Sequence, residues 1–343
     1  MKKLLFLVSA AVVGLSASAA WTYDPTELTI SDGVWTFSAS VNGTELTVNA
    51  VQSDPGEGAT LDFSKLITDG ESTVYTLVTL NPNFGAYADK SHLATLVLPK
   101  EGLTKISADA FKDCTSLTSI TPFLPDSVIS VGGSAFLSVP VAQDLSLLGV
   151  QTVSAGAFMS SAITSVAFGS GLKTLSAGYK NGCFYSCKNL KTVTFDPELK
   201  DATISGEMAF SLCSALTGTM DLSGFKNIGH RPFYDYGGTI SRFVLSSNLA
   251  KSENSSLFCT CSSTKIIEFK TPPPPNMTKE ALAAIYNYDG YNTALKDCYT
   301  IVPKEFKDDW AQYSSIGEVT AGSSYWHQNW VGSNYLKFPL AID

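Results

Sequence analysis

One aromatic residue returns along most of this chain at a nearly constant interval. Phe111, Phe136, Phe158, Phe184, Phe210, Phe233 and Phe258 are spaced by 25, 22, 26, 26, 23 and 25 residues. A period in this range, sustained over many copies, is the mark of a solenoid. Around each Phe the rest of the unit also recurs. LATLVLPKEGLTKISADAFKDCTS starts at Leu93, and LKTVTFDPELKDATISGEMAFSLCSA starts at Leu190. Further copies start at Leu117, Ile163, Leu216 and Ile240, a short one starts at Leu145, and an eighth opens at Thr264 and breaks off.

The physics of one unit is legible. Stretches such as LTSI and VISV alternate apolar and polar residues, which predicts half-buried strands. A Pro, Gly or Asp after the first strand turns the chain. The second strand leads to Ala-Phe, where a short helical or 3₁₀ turn would point the ring inward. One unit cannot bury these faces alone, whereas stacked units make a continuous core. At about 4.8 Å between strands, seven units make a stack on the order of 30 Å long. The expected fold class is therefore a repeat solenoid of short β-strands with short helical or 3₁₀ turns.

Composition narrows the function classes. The 343 residues are 44% hydrophobic and 16% charged, the opposite of a disordered chain. With 23 Lys plus Arg against 31 Asp plus Glu the net charge is -8, so no basic field invites nucleic acid. Residues 1–20 read as a Sec-type signal peptide: Lys2 and Lys3, an apolar stretch from Leu4 to Leu15, then Ala17-Ser18-Ala19. Its removal takes two lysines and leaves 21 minus 31, or -10. No later apolar run is long enough to span a bilayer. The expected location is outside the cytoplasm, as a secreted, cell-surface or periplasmic protein, without an integral membrane segment after cleavage.

The unit resembles the BspA-like leucine-rich repeats of bacterial secreted and surface proteins. Ile106, Ala110, Phe111, Cys114, Leu117 and Ile120 fit that pattern, as do Leu190, Val193, Ala209, Phe210, Cys213 and Leu216. The resemblance is strong over about residues 93–270. The pattern departs at Cys183-Phe184, Pro232-Phe233, Leu257-Phe258 and Tyr236. It implies a leucine-rich-repeat-like solenoid and an association with adhesion or protein binding.

The flanks read as caps. Residues 21–90 form a β-rich N-terminal cap, in which Asn42-Gly43 between alternating runs predicts a hairpin. LDFSKL at Leu61 echoes MDLSGF at Met220, so a degenerate repeat starts there. The repeats proper occupy 91–270. Pro272–Pro275 predicts an extended linker, with a proline-motif docking site as its alternative. Glu280 to Tyr286 reads as a short helix. Tyr299-Thr-Ile-Val-Pro303 precedes a helix with Phe306, Trp310 and Tyr313 on one face, resembling the segment that closes many such arrays. Residues 271–317 are thus a linker and an α-helical C-terminal cap. The tail, 318–343, carries Tyr325, Trp326, His327, Trp330 and Tyr335, expected to pack on the closing helix or array flank; stacking on sugars is the alternative.

Four of the seven cysteines, Cys114, Cys187, Cys213 and Cys261, share one repeat position, which suggests buried thiols along the spine. Export also permits disulfides, and stacking would bring Cys187 and Cys213 towards bonding distance. The odd total, and Ser161 and Tyr236 at the same position, favour thiols. Cys259-x-Cys261 and Cys183-x3-Cys187 lack the spacing and nearby His of zinc sites.

No hydrolase, phosphate-loop or dinucleotide motif occurs. His92, His230 and His327 are scattered and read as surface or turn residues. Ser170-x-x-Lys173 and Ser262-x-x-Lys265 are chance matches in a Ser-rich chain. Asp196 and Asp221 are acids that the repeats could bring together, and no role is assigned to them. We therefore name no catalytic, cofactor-binding or metal residue and expect no cofactor. The expected function is a non-enzymatic binding protein, engaging an extracellular protein or glycan through the solenoid surface. The alternatives are an exported polysaccharide-active hydrolase and a self-associating surface structural protein.

Overall fold

A computed structural model describes residues 20–87, 89–234, 238–247, 257, 261, 263–275, 298–311 and 336–342. The expected signal peptide, Phe258, Cys259, the stretch 280–286, Tyr313 and the tail aromatics lie outside the described residues.

The N-terminal segment builds β1 (Trp21–Asp24), β2 (Thr29–Ser31), β3 (Thr36–Asn42), β4 (Glu45–Ser53), β5 (Ala59–Asp62), β6 (Ile67–Thr68) and β7 (Val74–Leu80). The predicted hairpin is present, with Asn42 opposite Glu45. Six of these strands close on themselves. β1 to β4 are antiparallel neighbours, β4 runs parallel to β7, and the two-residue β6 joins β7 back to β1. These six strands thus form a closed ring with no free edge among them, and β5 stays outside it. Trp21, Trp35, Phe37 and Phe63 are buried in it.

The repeats follow as two stacks. The second strands are β9 (Lys105–Ile106), β11 (Ser130–Val131), β13 (Thr152–Val153), β15 (Thr174–Ser176), β17 (Ala202–Glu207) and β19 (Phe225–His230). They pair in parallel and join β7, so the ring and this stack form one 12-stranded sheet. The first strands are β8 (Leu93–Val97), β10 (Ser119–Thr121), β12 (Asp144–Leu147), β14 (Ser165–Phe168), β16 (Thr192–Phe195), β18 (Thr217–Leu222), β20 (Thr239–Leu245) and β21 (Ile266–Phe269). They form parallel runs interrupted between β10 and β12 and between β16 and β18. β5 lies parallel to β8, so a coil begins at the LDFSKL segment.

The same sheet continues past residue 270. β22 (Cys298–Pro303) and β23 (Leu336–Ile342) add two parallel strands beyond β21. Within 271–317 the described helix is short: a 3₁₀ turn, Lys304–Phe306, runs into α1 (Lys307–Ala311). Its Trp310 is buried, stacks on Phe269 with ring centroids 4.6 Å apart, and donates its indole N–H to the Thr271 carbonyl.

Between the stacks runs the aromatic column that the period announces. Phe84, Phe111, Phe136, Phe158, Phe184, Phe210 and Phe233 are all buried and lie ring to ring. Centroid spacings are 5.3–5.9 Å, and neighbouring rings are within 23° of parallel. Full burial of such a ring contributes about 1.5–3 kcal/mol, and each stacked pair about 0.5–1.5 kcal/mol more.

Phe84 opens a 3₁₀ turn, Phe84–Ala86, but from Phe111 onward the segment carrying each ring is neither α nor 3₁₀. It is a run of tight turns in which, around Phe111, Phe136, Phe158 and Phe210, the residues two before and two after take left-handed backbone, as at Asp109 and Asp113 (φ 55° and 57°) and at Ser134 and Ser138 (φ 54° and 60°). Asp, Ser and Gly tolerate this conformation, whereas Met208 and Leu212 adopt it (φ 62° and 61°) at a steric cost. The alternation points successive amides one way. In the six steps from Phe84 to Phe233, each ring residue's N–H donates to the carbonyl just before the next Phe, at 2.7–3.0 Å. Flanking amides do likewise, as from Asp109 to Gly133 and from Asp113 to Leu137.

The five described cysteine side chains, Cys114, Cys183, Cys187, Cys213 and Cys261, are buried free thiols. Cys187 and Cys213 donate S–H bonds at 3.0 Å to the carbonyls of Phe158 and Phe184. Burial pushes Cys114 up to about 12 and raises Cys183 and Cys213 as well, so none of these three is an activated nucleophile.

Candidate functional site

The repeats place like residues in line on the outside. Along the 12-stranded sheet, Thr79, Lys105, Ser130, Thr152, Thr174, Thr203 and Asn227 are register partners across seven strands. Strand alternation leaves them partly or fully exposed while Ile106, Val131, Val153, Leu175 and Ile204 point inward. On the other stack Asp144, Ser165 and Thr192 align. Asp144 accepts hydrogen bonds from Thr164 (2.8 Å) and Ser165 (2.6 Å), and the Ser165 bond leads in holding its carboxyl below the usual range.

One unit departs from this regular surface. Four residues are inserted between its second strand and Phe184, and Tyr179 projects there, 65% exposed, with the Lys180 ammonium 5.3 Å from its ring centre.

Two clefts open at the corner where the first-strand sheet is interrupted between β16 and β18. The larger, about 240 Å³, is lined by Lys200, Asp201, Phe225, Lys226 and Ser246. The smaller, about 120 Å³, is lined by Phe195, Asp196, Leu199, Asp221 and Lys270. Ser223 and Gly224 line both. Gly224 is there because the corner loops nearly touch: a Cβ on it would lie 2.6 Å from the Leu199 carbonyl oxygen. Asp196 and Asp221 thus share one cleft. Asp221 is engaged by Lys270 Nζ at 2.6 Å and by the Ser223 hydroxyl at 2.6 Å. Burial opposes its charge, but these partners outweigh burial and hold the carboxyl below the usual range. A general acid for glycoside cleavage needs the opposite shift.

His92 ends a 3₁₀ turn, Lys90–His92, and its half-buried ring joins a network that no sequence pattern announces. Its Nδ1 lies 2.7 Å from Asp54 Oδ1, and the Tyr87 hydroxyl donates to Asp54 Oδ2 at 2.5 Å. The Gly56 N–H adds a third bond to Asp54 at 2.7 Å. Burial disfavours the Asp54 charge, yet the bonds from Tyr87, His92 and Gly56 outweigh it and hold the carboxyl low. The bond to Asp54 raises His92, while burial and then that same carboxylate push Tyr87 up to about 12. Asp54, Asp89 and His92 offer three ligand atoms within 4.8 Å of one another. A cation there would displace the hydrogen bonds that already satisfy Asp54, so the network acts first as a buckle between cap and first coil.

The remaining residues singled out from the sequence do not assemble. His230 ends β19, more than one unit from either S-x-x-K serine in sequence. Ser262 and His327 lie outside the described residues.

The repeat geometry has a counterpart among known sequences. The BspA type leucine rich repeat region matches this chain in six copies, over residues 83–217 and 179–288. The chain belongs to this family. BspA-type repeat proteins are typically secreted or surface-exposed binding scaffolds, and no helix among the described residues is long and apolar enough to cross a membrane. A solved leucine-rich repeat protein from Bacteroides ovatus ATCC 8483 is similar at 15% identity, over 79% of this chain and 83% of that one, with a TM-score of 0.35. No curated protein matches the chain.

Proposed function

We propose that this BspA-type protein is exported and acts without catalysis, holding an extracellular protein or glycan on its repeat surface in an adhesive role. The observation that carries this reading is the in-register exterior ladder from Thr79 to Asn227: one polar surface built by seven strands, with hydroxyls at most steps. A ladder of this kind meets a partner with many weak, geometrically repeated contacts, and variable neighbours such as Tyr179 add selectivity. The hydrolase alternative is disfavoured by the side chains it would need: the described thiols are buried, and Asp221 is held ionised. The self-associating alternative needs a raw strand edge. At the N-terminal end, indole N–H groups of Trp21 and Trp35 occupy the Asp62 and Thr60 carbonyls of β5.

The test is binding of the purified chain to an array of extracellular matrix proteins and polysaccharides, with product formation followed in parallel. Saturable binding without turnover is the expected result. Polysaccharide cleavage, or a mass that climbs with concentration in the absence of any ligand, overturns it.

A further inference from the structure

We infer that the paired clefts at the β16–β18 interruption form a binding site for the carboxylate of an acidic sugar. The inference narrows the binding reading above to one site and rests on it.

Charge is the first argument. The chain as a whole is acidic, yet the larger cleft brings two ammonium groups, Lys200 and Lys226, to one rim with a single carboxylate, Asp201, among its lining residues. Neither lysine is neutralised by a close partner. Lys226 has no carboxylate within ion-pair distance among the described residues, and the Lys200 ammonium sits 4.0 Å from Glu198 with both side chains about 80% exposed. An exposed pair at that distance is worth almost nothing and yields readily to a ligand. Lys270, in contrast, is already bound to Asp221 in the smaller cleft. The free positive charge is therefore confined to the larger chamber.

Shape and chemistry are the second. About 240 Å³ falls below the roughly 300–1,000 Å³ of drug-sized pockets, and suits one sugar ring. The adjoining chamber of about 120 Å³ accommodates a flanking substituent. Sugar hydroxyls need donors and acceptors together, and the lining supplies the Asp201 carboxylate and the Ser223 hydroxyl beside the two ammoniums. At the junction of the chambers Gly224 lets the two corner loops lie against each other, because a Cβ there would come within 2.6 Å of the Leu199 carbonyl oxygen. A bare inorganic anion would use the lysines and leave the acceptor and the second chamber unused. A carboxylate attached to a polyol ring uses all of them.

The experiment is calorimetric titration of the purified chain with N-acetylneuraminic acid, glucuronic acid, glucose and sulfate, at low and high salt, followed by the variants Lys200→Gln, Lys226→Gln and the double variant. Both lysines are solvent-exposed, so thermal melting of the variants should match the parent. At least one acidic sugar is expected to bind, weakening with salt, with glucose and sulfate much weaker. Each Lys→Gln change should cost about tenfold in affinity, as for loss of a charge-assisted hydrogen bond. Which acidic sugar binds separates a terminal sialic-type residue from a uronic acid within a polymer. Three results overturn the assignment: no acidic sugar binds, sulfate binds as tightly as the sugar acids, or the double variant binds unchanged. The matrix array, repeated with the double variant, separates this failure from that of the broader reading. Undiminished capture of some other ligand leaves the binding function standing and removes this cleft from it.

Discussion

Phe158 and Phe184 lie face to face, 5.3 Å between ring centres and 9° from parallel, although 26 residues of chain separate them. In a solenoid each unit touches only its neighbours, so this contact is both core and inter-unit interface. Phe158→Ala should cost about 3–5 kcal/mol in urea unfolding. The amides of both flanking coils should lose hydrogen-exchange protection together. A loss under about 1 kcal/mol would mean that the column does not couple the units.

The buckle at Asp54 makes the cap pH-sensitive from both sides. His92 is raised in the folded state, so its contribution is complete below its unfolded value and is lost as pH rises through the folded one. Asp54 is lowered, so its contribution is complete above its unfolded value and is lost as pH falls through the folded one. Cap stability should therefore peak between roughly pH 4 and 6.5, the unfolded values of Asp and His. His92→Gln should flatten the alkaline side of that peak and shrink the acid side without abolishing it, since Tyr87 and Gly56 still hold Asp54, as read by Trp fluorescence melts across pH. An unchanged profile in the variant refutes the buckle.

Leu212 holds left-handed backbone where other units use Ser or Asp. Leu212→Asn relieves that strain while keeping the turn, and should raise stability by about 1 kcal/mol in chemical denaturation. Destabilisation instead would show that the half-buried Leu side chain packs more usefully than its backbone conformation costs.

Trp35 stacks on Phe37 and donates to the Thr60 carbonyl at 2.9 Å. Trp35→Phe retains an aromatic ring but strands that carbonyl at the end of the sheet. The expected loss is about 1–3 kcal/mol, measured by thermal and urea melts. A variant as stable as the parent would mean that the β5 edge does not depend on the indole.

The described thiols should resist alkylation in the native state. Cys114, Cys183, Cys187, Cys213 and Cys261 should label with iodoacetamide only after unfolding, as mapped by peptide mass spectrometry. Rapid native labelling at Cys187 or Cys213 would contradict their burial under the Phe column.

What is legible in the residues is whatever repeats. The Phe period, the alternation in each strand and the shared cysteine position all express one local unit, and each returns as a column. Phe84 escapes the Ala-Phe pattern because its neighbours, Asn-Pro-Asn before and Gly-Ala after, break it, yet its interval to Phe111, 111 minus 84 or 27, is a usable signal. The left-handed turns are partly hidden. Ser and Asp at fixed offsets from Phe permit them, but Met208 and Leu212 do not announce them. The closed ring cannot be read from the residues, since it depends on two of them, Ile67 and Thr68, pairing with both β1 and β7. Asp54 and His92 stand 38 residues apart outside any periodic pattern, so only the folded chain brings them together. The repeat spacing suggests Asp196 and Asp221 as neighbours, and Lys200 and Lys226, 226 minus 200 or 26 residues apart, carry the same period.

The amides beside the Phe column all point from earlier units towards later ones, which makes the stack a directed polymer. Its starting end is left with carbonyls to satisfy and its finishing end with N–H groups, so the two termini need chemically opposite stoppers and cannot be exchanged. A gene encoding such a chain can be lengthened or shortened from within by whole units, because each described junction along the Phe column, from Phe84 to Phe233, is donor to acceptor in the same sense. Joining two arrays start to start would set carbonyl against carbonyl. Family members of different length should therefore differ in the number of internal coils and share one kind of beginning.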